Sequence, residues 1–240
     1  MIAGQFEGKV VLVAGGTGGL GRAVSLAFLA ASAKVTVTYR SEDELTLLKN
    51  SAGSRAALFR GYQADVTDES AVRQVVQRIV SDYGQLDILI SAVGAYAGGT
   101  TLWQTDPHVF DQMLALNLRS GYVLCREVVP LMLKQGAGAI VSVASRAAVD
   151  HAAGAAAYAA SKAASVAMFD SVAADLAGTG VRVNSVLPSI IDTEANRKAM
   201  PGANFAKWPK PEDIAKVILF LCSDDAKLIH GASIPVYGEG

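Results

Sequence analysis

The sequence is poor in the residues that mark several classes of protein. Its only two cysteines, Cys125 and Cys222, lie far apart and have no C-x-x-C spacing. We therefore expect neither a disulfide framework nor a zinc site. This cysteine content is typical of proteins in a reducing compartment. The three histidines, His108, His151 and His230, are too scattered to predict a metal site.

Strong charge and long apolar runs are also missing. The formal net charge is -1, which gives no electrostatic basis for binding nucleic acid or an anionic membrane. No apolar stretch approaches the length that spans a bilayer, and the N-terminal residues lack the basic and apolar regions of a signal peptide. We expect a cytoplasmic protein without a nucleic-acid or membrane partner.

The chain is rich in short apolar runs. Hydrophobic residues make up 51% of the 240 residues, and no linker or repeat divides them, which predicts a single domain over residues 1–240. Runs rich in β-branched residues alternate with helical patterns, and this order predicts an α/β fold. The fold expected is a Rossmann-type, doubly wound, parallel seven-stranded sheet with helices on both faces. The predicted strands are residues 9–14, 34–39, 56–63, 86–91, 138–143, 181–186 and 233–236, and the predicted helices include 68–83, 107–134, 152–167 and 211–221.

A glycine-rich turn directly follows the first predicted strand. Residues 15–21 read GGTGGLG, and an Ala/Leu-rich helical pattern comes next. Such a turn lets backbone approach a pyrophosphate, and the following helix offers free N–H groups and the positive end of its dipole. The alternative is a flexible loop. The strand and helix on either side favour dinucleotide binding, with predicted contacts from Gly15, Thr17, Gly18, Gly19 and Leu20.

The end of the second predicted strand indicates which dinucleotide is bound. A carboxylate there would bind the ribose 2′-hydroxyl of NAD, but the chain has Tyr39, Arg40 and Ser41, with no acid before Glu42. Arg40 and Ser41 are suited to the 2′-phosphate of NADP, so NADP(H) is favoured over NAD(H). The alternative is that Arg40 is a solvated charge at the start of the next helix.

Residues after the third and fourth predicted strands complete the expected cofactor contacts. Asp65 and Val66 follow the third strand, where Asp65 either reaches the adenine edge or is a turn carboxylate. Gly94 follows the fourth strand. Ligands in doubly wound sheets lie beyond the carboxyl ends of the strands, so these positions face the predicted site.

Tyr158 and Lys162 lie four residues apart in a predicted helix and so share one face of it. A cation near a phenol stabilises the phenolate and lowers its pKa, which would make Tyr158 a proton donor near neutral pH. Ser145, just past the fifth strand, is placed at the edge of the same site. The alternatives are an ordinary helix surface for the pair and a turn cap for Ser145.

Four motifs together resemble the short-chain dehydrogenase/reductase family over nearly the whole chain. They are the glycine turn, Asn117 on the central helix, Ser145 thirteen residues before the tyrosine, and Tyr158-x-x-x-Lys162. The resemblance implies a nicotinamide-dependent oxidoreductase acting on a carbonyl or an alcohol, usually as a homotetramer or homodimer. Long helices at 107–134 and 152–178 are the expected interfaces.

The resemblance also implies a role for each motif. Tyr158 is the general acid/base, Lys162 lowers its pKa and holds the nicotinamide ribose, Ser145 orients the substrate oxygen, and Asn117 positions a proton-relay water. The segment 188–193 (PSIIDT) is similar to a family element that meets the nicotinamide amide. It adds Pro188, Ile191 and Thr193 to the expected cofactor contacts.

The chain departs from the family pattern at three places. Ala14 replaces the usual threonine, SAVG at 91–94 replaces Asn-Asn-Ala-Gly, and Ser189 replaces a glycine. Because the missing asparagines normally brace the sheet and the turn, we expect a rearranged cofactor region.

The substrate is predicted only from local similarity. Residues 92–99 and 192–208 look like the corresponding stretches of quinonoid dihydropteridine reductases, which suggests a pterin-like or related cyclic substrate and a substrate loop around 190–210. Those reductases usually favour NADH through an acid at the second strand, which is absent here. Aromatic side chains suited to the cleft, or alternatively to core packing, are Tyr96, Trp103, Phe205 and Trp208.

Two competing functions are considered. An enoyl reductase of the same superfamily typically has a longer spacer between its tyrosine and lysine, so carbonyl chemistry is preferred. A non-catalytic NADP-sensing protein is the alternative from a different class, and the altered segment 91–94 keeps it open. A sensor has no chemical need for a complete catalytic set, which favours an enzyme.

Overall fold

A seven-stranded sheet organises this computed structural model, which describes residues 4–239. The strand order is β3-β2-β1-β4-β5-β6-β7, and each neighbouring pair is parallel. The predicted sheet is confirmed. Its strands are β1 (Val10–Ala14), β2 (Lys34–Tyr39), β3 (Phe59–Gln63), β4 (Ile88–Ser91), β5 (Gly138–Val143), β6 (Val181–Pro188) and β7 (Ser233–Val236).

Helices connect the strands and cover both faces of the sheet. They are α1 (Gly19–Ala30), α2 (Glu42–Ala52), α3 (Glu69–Tyr83), α4 (Pro107–Leu114), α5 (Ser120–Gln135), α6 (Ala156–Asp175), α7 (Glu194–Ala199) and α8 (Pro211–Cys222).

Alternation along β1 shows how the two cores form. Val11 and Val13 are buried on one face among residues of α1 and α8, including Phe28 and Ile218. Leu12 and its alternate neighbours point to the other face, against α3, α5 and α6. A parallel strand that is covered on both faces must be apolar throughout, which explains the sequence VVLVA.

The strand order places a crevice beside β1. The chain runs outward from β1 to β2 and β3, and then returns to β4 on the other side of β1. Such a reversal of order leaves an opening at the carboxyl ends of the two central strands, where ligands bind in doubly wound sheets. The glycine turn after β1 and the segments after β4, β5 and β6 all border this end.

The largest differences from the predicted limits occur in three elements. The helix at 107–134 is divided by a π-helical turn at Ala115–Arg119. The third strand begins at Phe59 because Gly53–Leu58 forms a 3-10 helix instead. The helix predicted at 152–167 begins at Ala156 and extends to Asp175. Gly154 lies just before it with φ of 75°, a left-handed conformation that a right-handed helix cannot include.

Candidate active site

The glycine turn is a narrow backbone cradle between β1 and α1. Gly15 has φ of 75° and donates its N–H to Thr38 Oγ1 at 3.0 Å. A Cβ on Gly21 would lie 2.0 Å from the carbonyl oxygen of Gly15, so only glycine allows the helix to begin this close to the turn. Helix α1 has no side-chain cap and no acid in its first turn, which leaves free N–H donors and the positive end of its dipole. These features fit a pyrophosphate.

The segment beside the turn, where a rearrangement is predicted, continues the pairing of β1 and β4. The two strands are in register as far as Ala14 and Ser91, and Ala92 donates its N–H to the Ala14 carbonyl at 3.0 Å. A Cβ on Gly15 would lie 2.9 Å from Val93, so this valine packs directly against the turn. The Thr38 hydroxyl accepts the N–H of Gly15. The rearrangement of the cofactor region stays a prediction.

The segment after β2 begins with Arg40, whose side chain is exposed. No ion pair involves Arg40 within residues 4–239. Ser41 caps α2 by accepting the N–H of Glu44 at 3.4 Å. Tyr39 donates its hydroxyl to Glu42 at 2.6 Å, and this carboxylate raises the pKa of the phenol. Arg40 and Ser41 directly follow β2, and their contact with a 2′-phosphate stays a prediction.

The side chains of Asp65 and Val66 make their contacts within the protein. Asp65 Oδ1 accepts from the Thr67 N–H at 2.9 Å and from its hydroxyl at 2.8 Å. These two bonds, helped by the charge of Arg40, lower the pKa of Asp65. The geometry supports the turn alternative for this carboxylate. The Val66 side chain is buried in the core, so only its backbone is left to face a ligand.

Tyr158 is held in a largely buried position next to Ser145. Burial raises the pKa of the phenol, and a side-chain hydrogen bond with Ser145 lowers it in part. Ser145 is itself fixed at the end of β5, where its Oγ accepts the Ala147 N–H at 3.1 Å. The neighbouring Tyr96 adds a small further rise to the pKa. The phenol is thus protonated at neutral pH when no cofactor is bound.

Lys162 lies beneath the same site and is 5% exposed. Its Nζ donates to the Val143 carbonyl at 3.1 Å, and burial lowers its pKa from 10.5 to about 8. Two of its three donors remain free for a ligand. Burial has the largest effect on the pKa of Tyr158, and it raises that pKa. The lowering of this pKa by Lys162, which the sequence suggests, stays a prediction.

Gly94 is the point at which the loop after β4 crosses these groups. A Cβ there would lie 2.8 Å from Asn117 Oδ1 and 3.1 Å from Lys162 Nζ. The absence of a side chain therefore keeps the lysine and the asparagine in place. Gly94 is itself exposed, and its contact with a cofactor stays a prediction.

Asn117 uses its whole side-chain amide to hold neighbouring segments. Its Oδ1 accepts from Ala95 N at 2.9 Å, and its Nδ2 donates to Ala95 O at 3.0 Å and to Ser161 Oγ at 2.9 Å. Both amide hydrogens are therefore engaged, and the predicted contact with a relay water cannot come from them. Ser161 in turn donates to the Tyr158 carbonyl at 2.7 Å. The amide connects the loop after β4 to the helix that carries the tyrosine.

The segment after β6 lies over the glycine turn. A Cβ on Gly19 would be 2.7 Å from Thr193 Cγ2, which brings these two predicted contacts together. The Thr193 hydroxyl caps α7 by accepting the N–H of Asn196 at 3.2 Å. The Ile191 carbonyl accepts from Asn196 Nδ2 at 2.8 Å. Pro188 closes β6 at the same end of the sheet.

One aromatic side chain contacts the candidate acid. The Tyr96 ring packs edge-on against Tyr158 with centroids 4.9 Å apart, and 68% of Tyr96 is exposed. Phe205 and Trp208 pack on each other instead, at 5.0 Å. Trp103 is 85% exposed and contacts no other ring among the described residues. His151 is exposed.

Sequence reasoning missed three positioning side chains. Thr38 holds the turn from a neighbouring strand, a contact that no local motif reveals. Ser161 stands inside the Tyr-x-x-x-Lys motif, where a small polar residue among alanines was the available signal. Glu44 Oε2 accepts a hydrogen bond from the Thr17 hydroxyl at 2.9 Å. Its place in the first turn of α2 was visible in the sequence, but its contact was not.

Comparison with known proteins identifies the family to which this arrangement belongs. The family model for short chain dehydrogenases matches residues 9–204. The chain belongs to the short-chain dehydrogenase family. Its relatives are named as reductases and dehydrogenases, and it is accordingly an NAD(P)-dependent oxidoreductase acting on a carbonyl or alcohol substrate.

Individual relatives match over almost the full length of this short-chain dehydrogenase. It is 33% identical to a 3-oxoacyl-[acyl-carrier-protein] reductase of Thermotoga maritima, covering 98% of each chain. It is also 33% identical to D-threitol dehydrogenase of Mycolicibacterium smegmatis, covering 98% of this chain and 93% of the relative. The solved structure of ElxO with NADP bound superposes with a TM-score of 0.90 at 28% identity, covering 96% of this chain and 97% of the other.

Two searches of the described residues bear on other partners. Residues 4–239 contain no helix that is both long and apolar enough to cross a membrane. Over the same range, no cluster of three or more histidine, cysteine or acidic side chains is arranged to hold a metal ion.

Proposed function

We propose that this chain transfers a hydride between NADP(H) and a carbonyl or alcohol substrate, with Tyr158 as the general acid/base. The observation that carries the proposal is the placement of Tyr158 near Ser145, whose side chain affects the pKa of the phenol, and within one helical turn of the buried Lys162. Ser145 directly follows β5, and Lys162 Nζ donates to the carbonyl of Val143 at the end of the same strand.

Each side chain supports a distinct step. In reduction, bound nicotinamide supplies a hydride to the substrate carbon. Tyr158 gives its proton to the developing alkoxide, and Ser145 stabilises the negative charge on that oxygen. Burial keeps the phenol protonated before the reaction, which suits it to act as the acid. Oxidation of an alcohol runs the same transfers in reverse.

Other residues hold the reactants in place. We assign the pyrophosphate to the turn at Gly15–Leu20 and the ribose to the free donors of Lys162. The nicotinamide amide is assigned to backbone around Pro188 and Ile191 and to Thr193. Asn117 is a positioning residue, because its amide fixes Ala95 and Ser161 beside the tyrosine.

Preference for NADP(H) over NAD(H) rests on the residues after β2. Arg40 and Ser41 supply positive charge and a hydroxyl where an acid would select NAD. ElxO, which is similar over nearly its whole length, has a structure with NADP bound. We expect tighter binding and faster turnover with NADPH than with NADH.

The test is turnover of ketones, 3-ketoacyl esters, quinones and quinonoid dihydropterin by wild type and Tyr158→Phe. We expect the variant to lose at least about 100-fold in kcat and to keep its affinity for NADPH, since it lacks only the transferable proton. Tyr83→Phe, at the end of α3, is the matched control and should retain activity. Equal activity in Tyr158→Phe would refute the mechanism. Tight NADPH binding without turnover on any substrate would favour the sensor alternative.

A cyclic, planar substrate of the pterin type is the second candidate, and the Tyr96–Tyr158 ring contact favours it. An exposed aromatic face next to the proton donor can stack on a conjugated ring. Tyr96→Ala should raise KM for quinonoid dihydropterin by several-fold and leave acyclic ketones unaffected. An equal change for both substrate types would exclude this role.

The proposed catalytic unit is one domain over residues 1–240, with a substrate loop around 190–210, working in the cytoplasm. A homotetramer or homodimer is proposed through α4, α5 and α6. Its support is the exposure of Phe110, Tyr122 and Leu133 on α4 and α5, at 39%, 44% and 44%. Sedimentation analysis at several protein concentrations tests this assembly, and a monomer throughout would contradict it.

A further inference from the structure

A carboxylate of α2 is hydrogen-bonded to the glycine turn. Thr17 lies in the glycine turn and is 6% exposed, and its hydroxyl donates to Glu44 Oε2 at 2.9 Å. Glu44 stands in the first turn of α2, directly after the segment with Arg40 and Ser41. The bond therefore joins the two elements between which the adenosine end of a dinucleotide would lie.

A competition for the Thr17 hydroxyl follows from its single proton. Thr17 has one O–H, so it cannot donate to Glu44 and to a phosphate oxygen at once. A phosphate that replaced Glu44 as acceptor would also lie within a few ångströms of its carboxylate. Like charges at such a distance repel, and because Glu44 is exposed, solvent and salt screen part of this repulsion.

The surrounding charges do not neutralise Glu44. Within the part of the chain that the structure describes, no ion pair involves Glu44. The first turn of α2 also carries Glu42 and Asp43, but Glu42 is engaged by Tyr39 and neither accepts from Thr17. Arg40 also interacts electrostatically with Asp65, whose pKa it lowers. The positive charge that would favour NADP is therefore opposed by the carboxylate of Glu44.

We propose that Glu44 is a specificity-determining residue that narrows the preference of this enzyme for NADP(H) over NAD(H) by holding the Thr17 hydroxyl. The inference rests on the proposed binding of a dinucleotide at the glycine turn. NADH has no 2′-phosphate, so it leaves the Thr17–Glu44 hydrogen bond intact. NADPH must either break that bond or bind without a hydrogen bond from the Thr17 hydroxyl. The site consequently accepts both dinucleotides more evenly than Arg40 alone would allow.

The decisive variant is Glu44→Gln, which keeps an oxygen acceptor for Thr17 and removes the charge. Asp43→Asn is the matched control, because it removes the same charge from the same helical turn without touching Thr17. Dissociation constants for NADPH and NADH are measured by nucleotide fluorescence, and those for 2′,5′-ADP and 5′-AMP by calorimetry. The second pair of ligands differs only in the 2′-phosphate, and neither measurement needs a substrate.

We expect Glu44→Gln to lower the dissociation constants of NADPH and 2′,5′-ADP by about three- to tenfold, as like-charge repulsion over a few ångströms predicts. The dissociation constants of NADH and 5′-AMP should change by less than about twofold. Asp43→Asn should change the ratio of the NADPH and NADH dissociation constants much less. Thr17→Val should weaken NADPH and spare NADH if the freed hydroxyl serves the phosphate.

Several outcomes would overturn the inference. One is an unchanged NADPH/NADH ratio in Glu44→Gln, and another is an equal shift in Asp43→Asn, which would assign the effect to general charge. A wild-type protein that binds no dinucleotide would overturn it as well. Failure of the proposed function is separate: a wild type that prefers NADH, or that binds without turnover, contradicts that proposal while the ratio shift in Glu44→Gln still supports this one.

Discussion

Replacing the buried Lys162 should stabilise the cofactor-free protein while abolishing its activity. Burial lowers the pKa of this lysine from 10.5 to about 8. At 1.36 kcal/mol per pH unit, keeping the ammonium charged at neutral pH costs on the order of 3 kcal/mol. Lys162→Met removes that cost and also the bond to the Val143 carbonyl, which contributes about 1 kcal/mol. A net gain of about 2 kcal/mol is expected at pH 7.

The gain should depend on pH in a defined direction. Below pH 8 the lysine is protonated in both the folded and the unfolded chain, so wild type bears the full cost. Between about pH 8 and 10.5 the folded lysine has lost its proton while the unfolded one keeps it, and wild-type stability therefore rises with pH. Near pH 10 the remaining cost is below about 1 kcal/mol, and the two proteins should be equally stable.

Urea unfolding of the cofactor-free proteins at pH 7 and pH 10, at one protein concentration, measures this difference. Thermal unfolding at pH 7 should show a rise in Tm of roughly 4–8 °C for a chain of this size. Lys49→Met, at an exposed position on α2, is the control and should show no such pH dependence. A Lys162→Met protein that is less stable than wild type at pH 7, or whose gain is the same at pH 10, would refute the reasoning.

Two further substitutions test the packing around the tyrosine. Gly94→Ala places a Cβ 2.8 Å from Asn117 Oδ1. We expect it to lower the free energy of unfolding by about 1–3 kcal/mol in urea and to lower kcat. Gly202→Ala, whose Cβ would meet nothing within 4 Å, is the control for stability alone and should unfold as wild type does. Ser161→Ala leaves a buried amide hydrogen of Asn117 without its acceptor, which should cost about 1–3 kcal/mol and lower kcat more than it raises KM. Ser51→Ala, on the exposed side of α2, is the comparison for that loss, and an equal effect at both serines would remove the positioning role of Ser161.

The fold was predictable because its signals are local and periodic. Strands such as β1 must be apolar on both faces, so VVLVA predicts a buried strand without knowledge of its neighbours. The limits of the helices were harder to predict. The π-helical turn at Ala115–Arg119 changes only one hydrogen-bond spacing, and the apolar pattern of residues 107–134 continues through it.

The sequence predicts which residues form the candidate site, but it does not predict the contacts among them. Motif spacing places Tyr158, Lys162 and Ser145 on elements that end at the same edge of the sheet. The bonds from Thr38 to Gly15 and from Thr17 to Glu44 join residues 23 and 27 positions apart. Such contacts depend on how β2 and α2 pack beside the turn, and no spacing rule contains that information.

The protonation states show most clearly what the sequence omits. A phenol and an ammonium one helical turn apart suggest mutual stabilisation of their charged forms, but that holds only if both charges are also solvated or paired. Here burial raises the pKa of Tyr158 and lowers that of Lys162, so desolvation moves each toward its neutral form. Spacing alone does not reveal these shifts, because desolvation depends on the elements that pack around both side chains.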